Sequence, residues 1–189
     1  TFEGAVGKEL SSRCRAKASD LAESVRAGVR SHGLDPDDPV DGFRFDGAYQ
    51  RGPGRVDLRN HHAMSEPPFD HPSLNGEAVW VPLIEQMLGR DATLLWKGLV
   101  VTEPGTAEQE YHADGPLVSR QEWERQGHET TNLRAPLPVH SLTVHVPLVD
   151  YGSNGVGSTS FLPGSHQQVT GAALKAEAAE AGCTAGAGV

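Results

Sequence analysis

The sequence predicts a mainly β domain with flanking helices, of the antiparallel sandwich or barrel kind. Three observations carry that expectation. Leu142, Val144, Val146 and Leu148 alternate with Thr143, His145, Pro147 and Val149, the period of a half-buried strand. Asn154-Gly155 follows, and Asn-Gly is the residue pair that tight hairpin turns select. The run Thr93–Thr102 is the strongest strand in the chain and is turned by Pro104-Gly105. The content of 22 Gly and 13 Pro favours strands, turns and long loops over a helical bundle.

Each element has its own signal. From Lys8 to His32, Leu10, Cys14, Ala18, Leu21, Val25 and Val29 recur at spacings of three and four, an amphipathic helix that Gly33 stops. Residues 34–72 carry many Asp, Pro, Gly and Arg without periodicity and read as a long loop region, with one short strand near Gly42–Phe45. Pro72–Leu88 reads as a second helix, shortened or kinked by Pro82 and ended by Gly89. After Thr93–Thr102, a short loop leads into a strand holding His112 and Asp114. Residues 116–140 are polar, with one helical turn at Gln121–Gln126. They are long for a connection and suit either a lid over a site or a surface insertion. Ser158–Leu162 returns as a strand and ends at Pro163-Gly164. Ala172–Ala181 is a helix closed by Gly182. Several hairpin-type strands with helices at one end form one domain. Residues 1–71 supply an N-terminal helix and loops, and 72–189 a β core with the insertion 116–140. The chain starts at Thr1 and stops at Gly186-Ala187-Gly188-Val189 without a cap or charge, and it reads as a fragment.

Composition narrows the function classes. At 189 residues the chain suits one domain with a sizeable core. A formal net charge of −9 argues against a nucleic-acid backbone as partner, and more weakly against an anionic membrane surface. No apolar run approaches the roughly 18–20 residues of a membrane span, and no charged-then-apolar stretch marks a secretory signal in the sequence as it stands. The two cysteines, Cys14 and Cys183, lack metal-ligand spacing and make no disulfide framework. A reducing, cytoplasmic setting and a small-molecule substrate are therefore the expectation.

The stretch Tyr111-His112-Ala113-Asp114-Gly115-Pro116 carries the chemistry. In a strand, residues i and i+2 share a face, so His112 and Asp114 can aim at one point. One imidazole nitrogen and one carboxylate oxygen are two-thirds of the 2-His-1-carboxylate facial triad of non-haem Fe(II) sites. His-x-Asp on its own also arises by chance.

Its surroundings add order. Met87-Leu88-Gly89, Thr93–Thr102, Pro104-Gly105 and His112-Ala113-Asp114 precede Leu142–Asp150, Asn154-Gly155 and Phe161-Leu162-Pro163-Gly164-Ser165-His166. From about Pro72 to Gln167, roughly half the chain, this succession resembles the phytanoyl-CoA dioxygenase family of Fe(II)/2-oxoglutarate oxygenases. The resemblance implies a double-stranded β-helix (a jelly roll, cupin-like), with His112 and Asp114 as the first two metal ligands. It implies Fe(II), 2-oxoglutarate as cosubstrate and O2, with hydroxylation of a small molecule and release of succinate. The carboxylate at Asp114 favours hydroxylation over halogenation, since related halogenases leave that position empty.

The resemblance also implies a distal His and a cosubstrate-binding Arg on strands after the Ala172–Ala181 helix. Those C-terminal strands are missing from this chain, so both residues are expected beyond Val189. His166 has a tolerable spacing for a third ligand, but in the family pattern the His of that turn serves a strand end. Lys97, a cation within an apolar strand, suits either the cosubstrate dicarboxylate or a stem that snorkels to solvent. Thr143, and more weakly Gln109, are further cosubstrate contacts, and His145 lies on the same strand. Two other readings stay open: a jelly-roll binding domain with an incomplete metal site, and a cupin-like metalloenzyme that does not use 2-oxoglutarate.

Overall fold

A computed structural model describes residues 2–38, 42–112, 125, 139–151 and 157–163. The chain divides into two compact units, Thr1–Ala107 with Val146–Val156, and Glu108–His145 with Gly157–Val189. The first unit holds a four-stranded antiparallel sheet with flanking helices.

Helix α1 runs from Lys8 to Ser31, close to the expected span. Leu10, Cys14, Ala18, Ala22, Val25 and Val29 form its buried stripe. Gly33, at φ 75°, ends it in a Schellman arrangement. The Gly33 N–H donates to the Arg30 carbonyl at 2.9 Å, and the Leu34 N–H to the Val29 carbonyl at 3.3 Å.

The region 34–72, expected as loop with one short strand near Gly42–Phe45, contains that strand and most of the sheet besides. Strands β1 (Arg44–Phe45), β2 (Ala48–Gly52) and β3 (Arg55–Arg59) form consecutive hairpins. Their turns are Asp46-Gly47 and Pro53-Gly54, the two-residue connections that tight hairpins prefer. Asp46 and Gly47 have φ of 43° and 76°, as a type I′ turn requires. Short 3-10 helices follow at His62–Ser65 and Pro72–Leu74.

The expected helix Pro72–Leu88 is replaced by that second 3-10 turn and by α2, Val81–Leu88. Pro82 lies in the first turn of α2, where its missing N–H costs nothing, so it starts the helix rather than kinking it. Of the expected strand Thr93–Thr102, only Gly98–Thr102 (β4) pairs, antiparallel to β3. The preceding residues are held another way. The Asn60 N–H donates to the Lys97 carbonyl at 2.9 Å, the Lys97 N–H to Asn60 Oδ1 at 3.2 Å, and Arg59 lies over the Trp96 ring.

Alternation along the strands gives the sheet two unlike faces. Val56, Leu58 and Ala48 turn toward α1. Val25, Val29 and Phe43 complete that cluster, and Leu10, Cys14, Ala18, Ala63, Met64 and Phe69 form a second one. Leu21 and Leu99 touch both. The opposite face is ionic. Buried Asp57 accepts from Arg59 Nε at 2.8 Å and Arg51 Nε at 3.1 Å, and Arg44 and Arg51 lie over Tyr49. On the α1 side one further ion group ties the elements together. Buried Arg26 binds Asp37 at 2.5 Å and Glu103 at 3.3 Å, while Asp37 also accepts the Gly54 N–H.

Residues 106–112 carry no strand, and neither do 139–149 or 157–162, so the strands expected at Leu142–Val149 and Ser158–Leu162 are absent, while the strand expected to hold His112 and Asp114 lies outside the described residues beyond His112. The alternation in Leu142–Leu148 failed as a guide because Leu142 and Val144 lie exposed, while Leu148 packs beside the Leu10–Phe69 cluster. The Asn154-Gly155 turn, His166 and the helix Ala172–Ala181 lie outside the described residues, as does the segment 116–140 apart from Arg125, which is helical, and residues 139–140, which are in no helix or strand. No helix among the described residues is long and apolar enough to cross a membrane.

Candidate functional site

His112 is exposed and belongs to the second unit. Its Nδ1 lies 2.8 Å from the Glu110 carbonyl oxygen. A carbonyl only accepts, so Nδ1 carries the proton and the neutral ring bears its lone pair on Nε2. That is the tautomer a metal ligand needs, with the far nitrogen oriented by a backbone oxygen. Its expected partner Asp114 lies outside the described residues.

Lys97 has a different occupation. Its ammonium donates to Asn75 Oδ1 at 2.9 Å and to the Phe69 carbonyl at 3.1 Å. Burial lowers its pKa, with Asp70 pulling the other way. Two of its three donors thus brace the 69–75 segment against the start of β4. Lys97 belongs to the first unit and Thr143 to the second, where Thr143 is exposed and outside any strand. Gln109 is exposed as well, and His145 stacks edge-on against Phe161 at 5.5 Å.

A group that sequence reasoning left unassigned is brought together by the β1–β2 turn. Asp46 stands at the tip of that turn, and His61-His62 opens the first 3-10 helix. Gly47 presses the turn onto the chain beyond β3, and the Arg59 N–H donates to the Gly47 carbonyl at 2.7 Å. Asp46 Oδ2 consequently lies 4.0 Å from His61 Nε2 and 3.9 Å from His62 Nδ1. The three donors all fall within 4.8 Å of one another.

The environments of these residues differ. The Asp46 and His62 side chains are 74% and 66% exposed, against 9% for His61. His61 caps the 3-10 helix, its Nδ1 accepting the Ala63 N–H at 3.2 Å. The rings of His61 and His62 lie 4.1 Å apart. Burial lowers the pKa of His61, assisted by His62 and opposed by Asp46 and Glu66. The sequence did hold a signal for this group. Asp-Gly between two short runs marks a hairpin tip, and a His pair shortly after the second strand lies within reach of it.

No protein-family model matches the chain, and neither does any curated protein or solved structure.

Proposed function

We propose that the chain is part of an Fe(II)/2-oxoglutarate-dependent dioxygenase that hydroxylates a small molecule with release of succinate and CO2. The observation that carries this reading is the His112 ring, whose Nδ1 is spent on the Glu110 carbonyl so that Nε2 is the ligating nitrogen. The succession of motifs from Leu88-Gly89 to Pro163-Gly164-Ser165-His166 supports it from the sequence side. On this reading β4 is the one strand of the sheet that falls within the double-stranded β-helix expected of residues 72–189.

His112 and Asp114 hold two of the three protein positions on the metal. Bound there, iron supplies activation of O2 coupled to oxidative decarboxylation of the cosubstrate. The residues of the chain orient that chemistry. The Glu110 carbonyl fixes the His112 ring and its proton, and the Asp114 carboxylate occupies the position that would otherwise admit a halide. Lys97 belongs to the first unit and is occupied by its bonds to Asn75 and Phe69, so on this reading the polar contacts to the cosubstrate are Thr143 and Gln109 of the second unit.

The test is Fe(II)-dependent conversion of 2-oxoglutarate to succinate by the full-length protein. Replacing Asp114 by Ala should abolish hydroxylation. Full activity in that variant removes Asp114 from the ligand set, and absence of both turnover and Fe(II) binding in the parent refutes the reading.

A further inference from the structure

The geometry points to a second divalent-cation site on this chain, formed by Asp46, His61 and His62 and suited to Zn(II). It is independent of the iron site assigned to His112 and Asp114, and it belongs wholly to the first unit.

The donor set is chemically apt. Two imidazole nitrogens and one carboxylate oxygen make a set that Zn(II) accepts, with water completing the shell. The separations are close to those required. Ligands about 2.0–2.2 Å from a tetrahedral zinc lie about 3.4 Å apart, against 3.9 and 4.0 Å for the two pairs that include Asp46. At separations up to 4.8 Å, a point equidistant from the three donors lies no more than about 2.5 Å from each. An inward shift of a few tenths of an ångström at each donor completes the site.

The scaffold decides which donors move. His61 is buried, so packing makes it the fixed ligand. Asp46 and His62 are exposed and can swing toward it at little packing cost. The backbone under Asp46 is not free to drift, because the Gly47 carbonyl accepts the Arg59 N–H at 2.7 Å and a Cβ on Gly47 would stand 2.5 Å from the Arg59 carbonyl oxygen. The turn thus holds the carboxylate over the two rings before any ion arrives, which lowers the ordering cost of binding.

Metal and cap compete for one ring. With Nδ1 accepting from Ala63, the neutral His61 ring carries its proton on Nε2, the atom nearest Asp46. Ligation at Nε2 moves that proton to Nδ1, and the Ala63 N–H must turn away. The lost cap weakens Zn(II) binding by roughly fivefold, and metal loading exposes the first turn of the 3-10 helix His62–Ser65.

The experiment is Zn(II) titration, by calorimetry, of the full chain carrying H112A and D114A, so that the assigned iron ligands contribute nothing. One equivalent should bind. D46N and H62A, both at exposed side chains, should each weaken binding by about tenfold or more while leaving the far-UV circular dichroism unchanged. H61N retains an acceptor for the Ala63 N–H and should fold while losing the metal. Amide exchange at Ala63 should accelerate on loading. No bound equivalent, or unchanged affinity in any one of the three variants, overturns the site. Binding with a slower or unaltered Ala63 exchange overturns the competition between cap and metal.

Discussion

Gly33 and Gly47 adopt nearly the same left-handed conformation, φ 75° and 76°, in different surroundings. A Cβ at Gly33 meets nothing within 4 Å. At Gly47 it would stand 2.5 Å from the Arg59 carbonyl oxygen and 3.3 Å from the His61 nitrogen. Substituting Ala at each position therefore shares one conformational cost, about 1–2 kcal/mol for the αL region, less a few tenths recovered from the unfolded chain. Only G47A adds a collision with backbone, which cannot rotate away as a side chain can. The 2.7 Å bond from the Arg59 N–H to the Gly47 carbonyl must stretch or break, for about a further 1 kcal/mol. Displacement of the β1–β2 turn adds a comparable amount. The expected losses are about 1 kcal/mol for G33A and about 3 kcal/mol for G47A. For a chain of this length that difference separates the melting midpoints by about 4–8 °C. Urea unfolding followed by far-UV circular dichroism measures both, with matching m values as the check that only stability has changed. Losses equal to within about 0.5 kcal/mol would refute the steric account of the turn.

Lys97 and Asp57 provide two further tests. K97M removes two charge-assisted bonds at a partly exposed site, so unfolding free energy should fall by about 1–2 kcal/mol. The KM for 2-oxoglutarate should stay unchanged, and a large rise in KM would restore Lys97 to the cosubstrate site. The parent should also differ from K97M in alkali. Burial lowers the Lys97 pKa below 10.5, so the unfolded chain holds that proton more tightly. The penalty is fully present below the folded value and fades as pH rises through it toward the unfolded one, a rising slope that K97M should lack. D57A leaves Arg51 and Arg59 without their shared carboxylate. Both guanidinium groups are about two-fifths exposed, so the expected loss is about 2–3 kcal/mol by urea unfolding, below the 3–5 of a fully buried pair. A D57A protein as stable as the parent would show that the ionic face contributes nothing net.

What was legible in the sequence was governed by period and length. Twenty-four residues of α1 repeat the helical spacing many times, so Leu10, Cys14, Ala18, Val25 and Val29 emerge correctly as core, while Leu21 is partly buried and Ala22 and Arg26 were missed. β1 falls at the short strand expected near Gly42–Phe45, but β2 and β3 went unread because they are five residues each, too short for alternation to rise above a background of Arg, Asp and Gly. Their turn pairs, Asp46-Gly47 and Pro53-Gly54, were the better evidence. Conversely, Leu94 and Leu95 read as strand core by hydrophobicity, yet both are about three-quarters exposed, because the clasp between Asn60 and Lys97 starts the pairing only at Gly98. For the site, His-x-Asp drew attention through local spacing. Asp46, His61 and His62 are brought together by the closure of β2 and β3, with the Asp46-Gly47 pair as the local sign of the turn that carries Asp46.

The order of the sheet has a kinetic side. β1, β2 and β3 are neighbours in sequence and zip through two-residue turns, on the scale of microseconds. β4 pairs with β3 only after residues 60–97 have been looped back, a closure whose entropy weighs against it until Leu99 and Val101 gain their places beside α1. Until then the outer edge of β3 is an open row of amides and carbonyls next to Val56 and Leu58, an invitation to pair with another chain. The two bonds between Asn60 and Lys97 shorten that interval. They fasten the far end of the connection directly against the end of β3, so that β4 is delivered in register.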